Sequence, residues 1–199
     1  MTARIEKVGL FGGSFDPIHA GHLIMAQAAV NLAELDRIHF IPTAVPPHKT
    51  TGSLTAFETR ARMVALAIAG NTSFELSRIE AERSVSYTYR TVRAFADRGL
   101  GRDSLHLLIG SDSLEEMGGW RRPEEIFARA TILVMMRPGH ERIPQLPPDA
   151  ALICMTAGSN SISSTEIRSL AAAGKSIRYL VPEPVERFIA EHSLYVPKE

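Results

Sequence analysis

The chain has 199 residues, balances 22 Lys and Arg against 22 Asp and Glu, and is 45% hydrophobic, which excludes intrinsic disorder and places it among ordinary globular proteins. A chain of this length buries roughly 70% of its unfolded surface and so builds one sizeable core without staples. The formal net charge of zero argues against wrapping nucleic acid by bulk electrostatics, so any anion bound is expected to be small and held in a local cationic pocket.

Cys154 is the sole cysteine, so no intrachain disulfide forms, which fits a reducing compartment. Its setting, Ala151-Leu152-Ile153-Cys154-Met155, predicts a small buried hydrophobe rather than a nucleophile. Met1 to Lys7 lack the apolar stretch of a secretory signal, and no run approaches the roughly 18 apolar residues of a membrane span. The expected address is the cytoplasm, with no membrane partner.

In chain order, Val8 to Phe11 is the first predicted strand, and a helix follows in which Leu23, Ala26, Val30 and Ala33 form one apolar stripe. Ile38 to Ile41 is the second strand. Pro42, Pro46 and Pro47 stop any helix there, and Thr50 to Thr55 reads as an exposed loop. Phe57, Ala61, Val64 and Ile68 line the next helix; Leu105 to Ile109 and Thr131 to Met135 are strands. Arg137 to Asp149, rich in proline, is expected to be irregular before a last strand over Ala151 to Met155. Ser163-Ser164-Thr165-Glu166 has capping-box spacing and opens a helix from about Ser164 to Ala173, ended by Gly174. Pro184 starts another that runs to about His192.

This alternation predicts an α/β fold: a Rossmann-like doubly wound parallel sheet with helices on both faces and a small C-terminal helical part. Residues 1–199 read as a single domain, with the core sheet and helices in 1–137 and a loop, the last strand and the C-terminal helices in 138–199.

The densest chemical signal is Gly12-Gly13-Ser14-Phe15-Asp16-Pro17-Ile18-His19-Ala20-Gly21-His22, between the first strand and the first helix, where an open α/β sheet binds ligands. Glycines let the backbone approach a phosphate, and a helix start offers free N–H groups and a positive dipole end. With a helix beginning near Ile18, His19 and His22 project from one side of its first turn and bring two ring donors to one pocket. The spacing matches neither G-x-G-x-x-G nor G-x-x-x-x-G-K-[ST], so a nicotinamide-dependent dehydrogenase and a P-loop kinase lose support. A plain turn with two capping or surface histidines fits the same residues, and no third residue has the spacing to complete a metal site with them.

Gly13-Ser14-Phe15-Asp16-Pro17 with His19-x-Gly21-His22, together with Ile162-Ser163-Ser164-Thr165-Glu166-Ile167-Arg168, resembles the paired signatures of the nucleotidyltransferase superfamily, which moves AMP or CMP onto a phosphate. More narrowly, the chain resembles the bacterial nicotinate-mononucleotide adenylyltransferases. Pro46-Pro47-His48-Lys49, Ser86-Tyr87-Thr88, Ile109-Gly110-Ser111-Asp112-Ser113, Trp120 and Arg137-Pro138-Gly139 occur in that family's order, so the likeness covers nearly the whole chain.

The resemblance implies transfer of AMP from ATP to nicotinate mononucleotide, giving nicotinate adenine dinucleotide and pyrophosphate, a step of NAD synthesis. His19 and His22 are then catalytic, on the ATP phosphates; Lys49 adds a point charge and Arg168 a fork to the β- and γ-phosphates. Gly12, Gly13, Ser14, Phe15, Gly21, Ser163, Ser164 and Thr165 contact ATP, and Asp112 accepts from a ribose hydroxyl. Asp16, Thr88, Trp120, Arg121 and Arg137 serve the mononucleotide: Trp120 faces the pyridine, Thr88 lies near its carboxylate, Arg121 favours acid over amide, and Arg137 meets the phosphate. Magnesium is implied as the neutraliser of the triphosphate, bound mainly through its phosphates. ATP and the mononucleotide are the implied partners, and assembly into a homo-oligomer is left open.

Read from the residues alone, other roles stay open: Ser163 as a helix cap, Arg168 as a surface arginine, Lys49 as an exposed loop lysine, Trp120 as core, Asp112 as an N-cap. Tyr87 and Tyr89 read as packing residues. Ser14 stands where Thr is common in the family and Ser111 where Ala is common; Thr43-Ala44-Val45 replaces more polar residues, which puts side-chain contacts there in doubt. The alternatives to the adenylyl transfer are a pantetheine-phosphate adenylyltransferase, which shares the first signature, and a non-catalytic nucleotide sensor on the same fold.

Overall fold

Successive residues of a strand point to opposite faces, so a strand buried on both sides needs apolar residues in unbroken runs. The runs in this chain supply that. The computed structural model describes residues 4–45, 54–83, 85–137, 139–156 and 162–197. Six strands, β1 (Val8–Gly13), β2 (Arg37–Pro42), β3 (Phe74–Leu76), β4 (Leu105–Gly110), β5 (Thr131–Met135) and β6 (Leu152–Met155), form one sheet in the order β3-β2-β1-β4-β5-β6. Every pairing is parallel.

Among the described residues the α-helices are α1 (Ala20–Ala33), α2 (Phe57–Ile68), α3 (Thr88–Ala96), α4 (Ser111–Glu116), α5 (Pro123–Arg129), α6 (Ser164–Ala172) and α7 (Glu183–Glu191). They divide between the two faces as expected of a doubly wound sheet. On one face Phe11, Ile38, Phe40, Leu108 and Leu133 meet Met25 and Ala29 of α1, Val64 of α2, Ile167 of α6 and Val185 of α7. On the other, Leu10, Ile41, Leu107, Ile109 and Val134 meet Val92 and Phe95 of α3, Leu114 of α4 and Ile126 of α5. Each fully buried aliphatic side chain contributes on the order of 1.5–3 kcal/mol, so the two layers together carry the hydrophobic stabilisation. The C-terminal helices share the layer of α1.

Two sequence expectations change, and one strand was not foreseen. The buried stripe of α1 is Met25, Ala26, Ala29 and Ala33, with Leu23 and Val30 at its margins, because the helix axis turns slightly different residues toward the sheet. β3 has only three residues, too few to show a period. Cys154 is exposed rather than buried, because β6 is the edge strand and alternate residues there have no covering layer.

The strand order reverses between β1 and β4, where connections leave in opposite directions. The carboxyl ends of those strands therefore flank the crevice in which such sheets bind ligands. Gly12 and Gly13 end β1, and Gly110 ends β4.

Candidate active site

The glycines at the end of β1 have different tasks. A Cβ on Gly12 would meet nothing within 4 Å, so that backbone lies open to the crevice, whereas a Cβ on Gly13 would sit 3.0 Å from the Phe15 ring. Phe15 itself adopts a left-handed φ of 47°. Its ring is buried, edge-on to Phe11 at 5.5 Å and to His22 at 5.0 Å between centroids. Any ATP contact of Phe15 is therefore left to its backbone, since the ring packs behind the His22 imidazole.

Asp16 needs a similar correction. Its carboxylate, 2% exposed, accepts from the Tyr195 hydroxyl at 2.7 Å and the Thr55 amide at 3.1 Å, so both oxygens face protein rather than a mononucleotide. Ser14 gives its carbonyl to Arg60.

α1 begins two residues later than expected, and His19 is its N-cap. The backbone N–H of His19 donates to Nδ1 of His22 at 3.2 Å, and the two rings stack with centroids 3.7 Å apart. Nδ1 being occupied as an acceptor, a neutral His22 carries its proton on Nε2, where it can donate outward. His19 is 5% exposed and its Nδ1 is buried without a partner. Burial, reinforced by the Arg137 charge, lowers the His19 pKa to about 4. Burial, then His19 and Arg137, lowers that of His22 well below the ordinary value. Both rings stand neutral and poised at the end of a helix that carries no acidic residue in its first turn.

The second signature closes on the first. Ser163 caps α6, its Oγ accepting from the Glu166 amide at 3.1 Å. Ser164 donates its hydroxyl to the Pro17 carbonyl at 2.9 Å, and Nη1 of Arg168 donates to the Asp16 carbonyl at 2.7 Å while Nη2 reaches Thr165 Oγ1 at 3.3 Å. Arg168 is therefore no idle surface arginine. One helix start and its guanidinium grip the turn that carries the histidines, with α6 presenting its N-terminal amides beside them.

At the end of β4, Gly110 is the N-cap of α4 and Asp112 the second helical residue, which removes the N-cap reading of Asp112. Asp112 Oδ2 accepts from Arg137 Nη1 at 3.1 Å, and its Oδ1 is buried with no partner. Ser111, wholly buried, accepts the Arg137 backbone N–H on its hydroxyl at 3.0 Å. The structure thus brings Arg137, Asp112 and the two histidines into one electrostatic neighbourhood.

Thr88 is the first residue of α3, after its N-cap Tyr87. Ser86 ties that entry to the segment after β2: its Oγ accepts from the Ala44 amide at 3.0 Å and its own amide donates to the Val45 carbonyl at 2.9 Å. The segment after β2 contributes only backbone groups to that link, whereas Ser86 contributes its hydroxyl as well as its amide. Trp120 follows a 3-10 turn over Met117–Gly119 and is half-buried against the α3 layer, with Tyr87 also at its margin and Tyr89 inside it. The exposed guanidinium of Arg121 lies 5.2 Å from the Tyr87 ring centre, at the entrance to α3. Gly21 falls in the first turn of α1. Lys49, with Pro46 to His48, lies outside the described residues.

Two residues escaped the sequence reading. Arg60, 1% exposed, donates to the carbonyls of Ser14 at 2.7 Å, Thr43 at 2.8 Å and Thr55 at 2.7 Å. Its signal was available, since it occupies a stripe position between Phe57 and Ala61. Tyr195, which holds Asp16, carried no local signal. Among the described residues no group of three or more His, Cys, Asp or Glu converges as a metal cage, and no helix is long and apolar enough to cross a membrane.

Known proteins resemble this chain in sequence and in fold. Residues 10–170 match the cytidylyltransferase-like family. A probable nicotinate-nucleotide adenylyltransferase of Pelobacter propionicus is 42% identical over 212 residues, covering 95% of this chain and 98% of that one. A protein of the same description from Salinibacter ruber is 41% identical, covering 96% and 99%. Among solved structures, the Plasmodium falciparum nicotinic acid mononucleotide adenylyltransferase complexed with APC superposes with a TM-score of 0.77 at 20% identity, over 96% of this chain and 97% of that one, and shares the fold. With both signatures joined at one crevice and identity above 40% along nearly its whole length, the chain belongs to the nicotinate-nucleotide adenylyltransferases of the cytidylyltransferase-like family.

Proposed function

We propose that this site transfers AMP from ATP to nicotinate mononucleotide, releasing pyrophosphate and forming nicotinate adenine dinucleotide. The observation that carries the reading is the hydrogen-bonded union of the two helix starts, Ser164 to Pro17 and Arg168 to Asp16, at the carboxyl ends of β1 and β4. A triphosphate laid across that junction meets the N-termini of α1 and α6 together.

A phosphate oxygen of the mononucleotide attacks the α-phosphorus of ATP in line; the new P–O bond forms as the bond to the β-phosphate breaks, and pyrophosphate leaves with that electron pair. The protein's task is charge and placement. Nε2–H of His22 and the His19 ring donate to oxygens around the α-phosphorus, and their neutrality keeps the cost of burying them low. Arg168, with Nη1 anchored on the Asp16 carbonyl and Nη2 reaching Thr165, has its remaining N–H groups for the leaving phosphates. Lys49 adds a charge from the loop after β2. Magnesium enters with ATP as part of the substrate, held through the phosphates.

Asp112, with one buried oxygen lacking a partner, is the candidate acceptor for a ribose hydroxyl. Arg137, beside the histidines, is placed for the incoming phosphate. Trp120, Thr88 and Arg121 gather at the entrance to α3 and would take the pyridine and its carboxylate, Arg121 supplying the charge that prefers an acid to an amide. The lone cysteine and the metabolite substrates support a cytoplasmic address.

The test is pyrophosphate release from magnesium-ATP with nicotinate mononucleotide, nicotinamide mononucleotide or phosphopantetheine offered separately. Fastest turnover with the nicotinate compound is expected. Preference for phosphopantetheine, or binding without turnover of any of the three, would overturn the assignment.

A further inference from the structure

The side-chain carboxylate of Asp16 is buried in the turn that presents the histidines, yet it faces away from the crevice. It is held from two parts of the chain far apart in sequence, the C-terminal tail and the approach to α2. Tyr195 donates from the C-terminal tail, 179 residues away, and the Thr55 amide donates from the start of α2. Arg60, one turn into α2, supplies the buried positive charge, its own pKa lowered by burial and raised again by Asp16. Arg60 also joins the carbonyls of Ser14, Thr43 and Thr55, so the turn and the segment after β2 share one clamp.

The tail is shaped for this contact. The amide of Leu194 donates to the Ile189 carbonyl at 3.0 Å, which folds the chain back from the end of α7. Ser193 and Tyr195 both take left-handed φ values, 48° and 67°, unusual for residues with side chains. Burial beside the Asp16 carboxylate pushes the Tyr195 pKa far up, so the hydroxyl is a donor throughout the working range. A neutral donor aimed at a buried carboxylate gives a strong, directional bond.

We propose that Tyr195 is a positioning residue for adenylyl transfer: through Asp16 it fastens the Ser14–Pro17 turn, and with Arg60 it sets where His19 and His22 stand relative to the α-phosphorus. Loss of the hydroxyl releases one side of the turn without emptying the core, since the Tyr195 ring remains. Arg168 holds only the Asp16 carbonyl, so it restrains the backbone while leaving the carboxylate side unfastened. A misplacement of about 1 Å at reacting groups is enough to cost one to two orders of magnitude in rate.

The inference rests on the proposed reaction, and the experiment separates the two. Full-length Tyr195→Phe is compared with wild type and with Val185→Ala, which opens a cavity under α7 but removes no hydrogen bond to Asp16 or the turn. Tyr195→Phe is expected to lower kcat about tenfold with the KM for nicotinate mononucleotide within about twofold, while Val185→Ala lowers the unfolding midpoint more and keeps kcat within about twofold. Wild-type kcat in Tyr195→Phe, or loss of kcat in both variants in proportion to lost stability, overturns the proposal. If Tyr195→Phe does not fold, Arg60→Lys is measured instead. It keeps the charge but cannot reach three carbonyls, and unchanged kcat in that variant overturns the proposal equally. Absence of turnover by the wild type counts against the reaction, and the positioning role is then read by calorimetry with magnesium-ATP, with binding about tenfold weaker in Tyr195→Phe as the supporting result and equal binding as the refuting one.

Discussion

The hydroxyl of Ser164 donates to the carbonyl of Pro17 across 147 residues of sequence, and this bond makes one site out of two signatures. A helix start satisfies its own orphan amides with a cap, here Ser163, and leaves its neighbouring hydroxyl for a tertiary contact. Capping and the tertiary contact to Pro17 are consequently divided between adjacent residues rather than competing for one.

Arg168 joins the same contact, and its planar fork explains a prediction. Arg168→Lys keeps the charge but cannot hold the Asp16 carbonyl and a phosphate with separate nitrogens. Steady-state kinetics is expected to show kcat/KM for ATP reduced by roughly tenfold or more, with thermal stability little changed. Equal kcat/KM in the two enzymes would remove the fork from the mechanism.

His19→Ala and His22→Ala are each expected to lower kcat by roughly 10²-fold or more with folding intact, because each removes a donor preset around the α-phosphorus. His22→Ala also leaves the His19 amide without its acceptor at the helix start, so it is expected to lose more stability than His19→Ala. Rate assays with denaturant titrations check both orders.

Burial gives stability a pH dependence of definite sign. A histidine whose folded pKa is depressed binds protons more readily when unfolded, so its contribution is present above pH 6.5 and is lost as pH falls toward about 4. The drop for His19 corresponds to roughly 3 kcal/mol, with His22 adding in the same direction. Urea titrations at steps between pH 7 and pH 4 should show His19→Gln losing less stability than wild type over that window. Parallel curves would mean that His19 is not buried neutral.

The alternation of apolar runs and helical stripes made the sheet and its two faces legible, because burial on both sides leaves little freedom in composition. What stayed hidden was set by tertiary context. Phe74-Glu75-Leu76 joins the sheet only by pairing with β2, and Cys154 faces out only because nothing pairs beyond β6. The site divides similarly. His19, His22 and the Ser163 to Arg168 segment stand out in sequence, whereas the inward turn of Phe15 and Asp16 depends on Arg60 and Tyr195, whose partners are remote.

Trp120 is half-buried against the same core layer as Tyr87, over whose ring Arg121 stands, and these residues are proposed to take the mononucleotide. Trp120→Ala is expected to raise the KM for nicotinate mononucleotide more than that for ATP. Arg121→Ala should narrow the preference for the nicotinate over the nicotinamide compound, since the charge it removes matters only to the acid. The reverse order of KM effects, or an unchanged acid-to-amide ratio, would displace the pyridine from this entrance.

Gly110 offers a test on the opposite wall. A Cβ there would stand 2.3 Å from Asp112 Oδ1 and 3.0 Å from Arg137 Nε, closer than real side chains approach. Gly110→Ala therefore has to push Asp112 and Arg137 apart, breaking a pair joined at 3.1 Å. If Asp112 holds a ribose and Arg137 the incoming phosphate, kcat should fall by roughly tenfold or more while Leu105 to Ile109 keep β4 paired and the sheet stays folded. Normal turnover with an intact unfolding midpoint would show that the reaction does not pass through the Asp112 and Arg137 pair, leaving the histidine side of the crevice to carry both substrates.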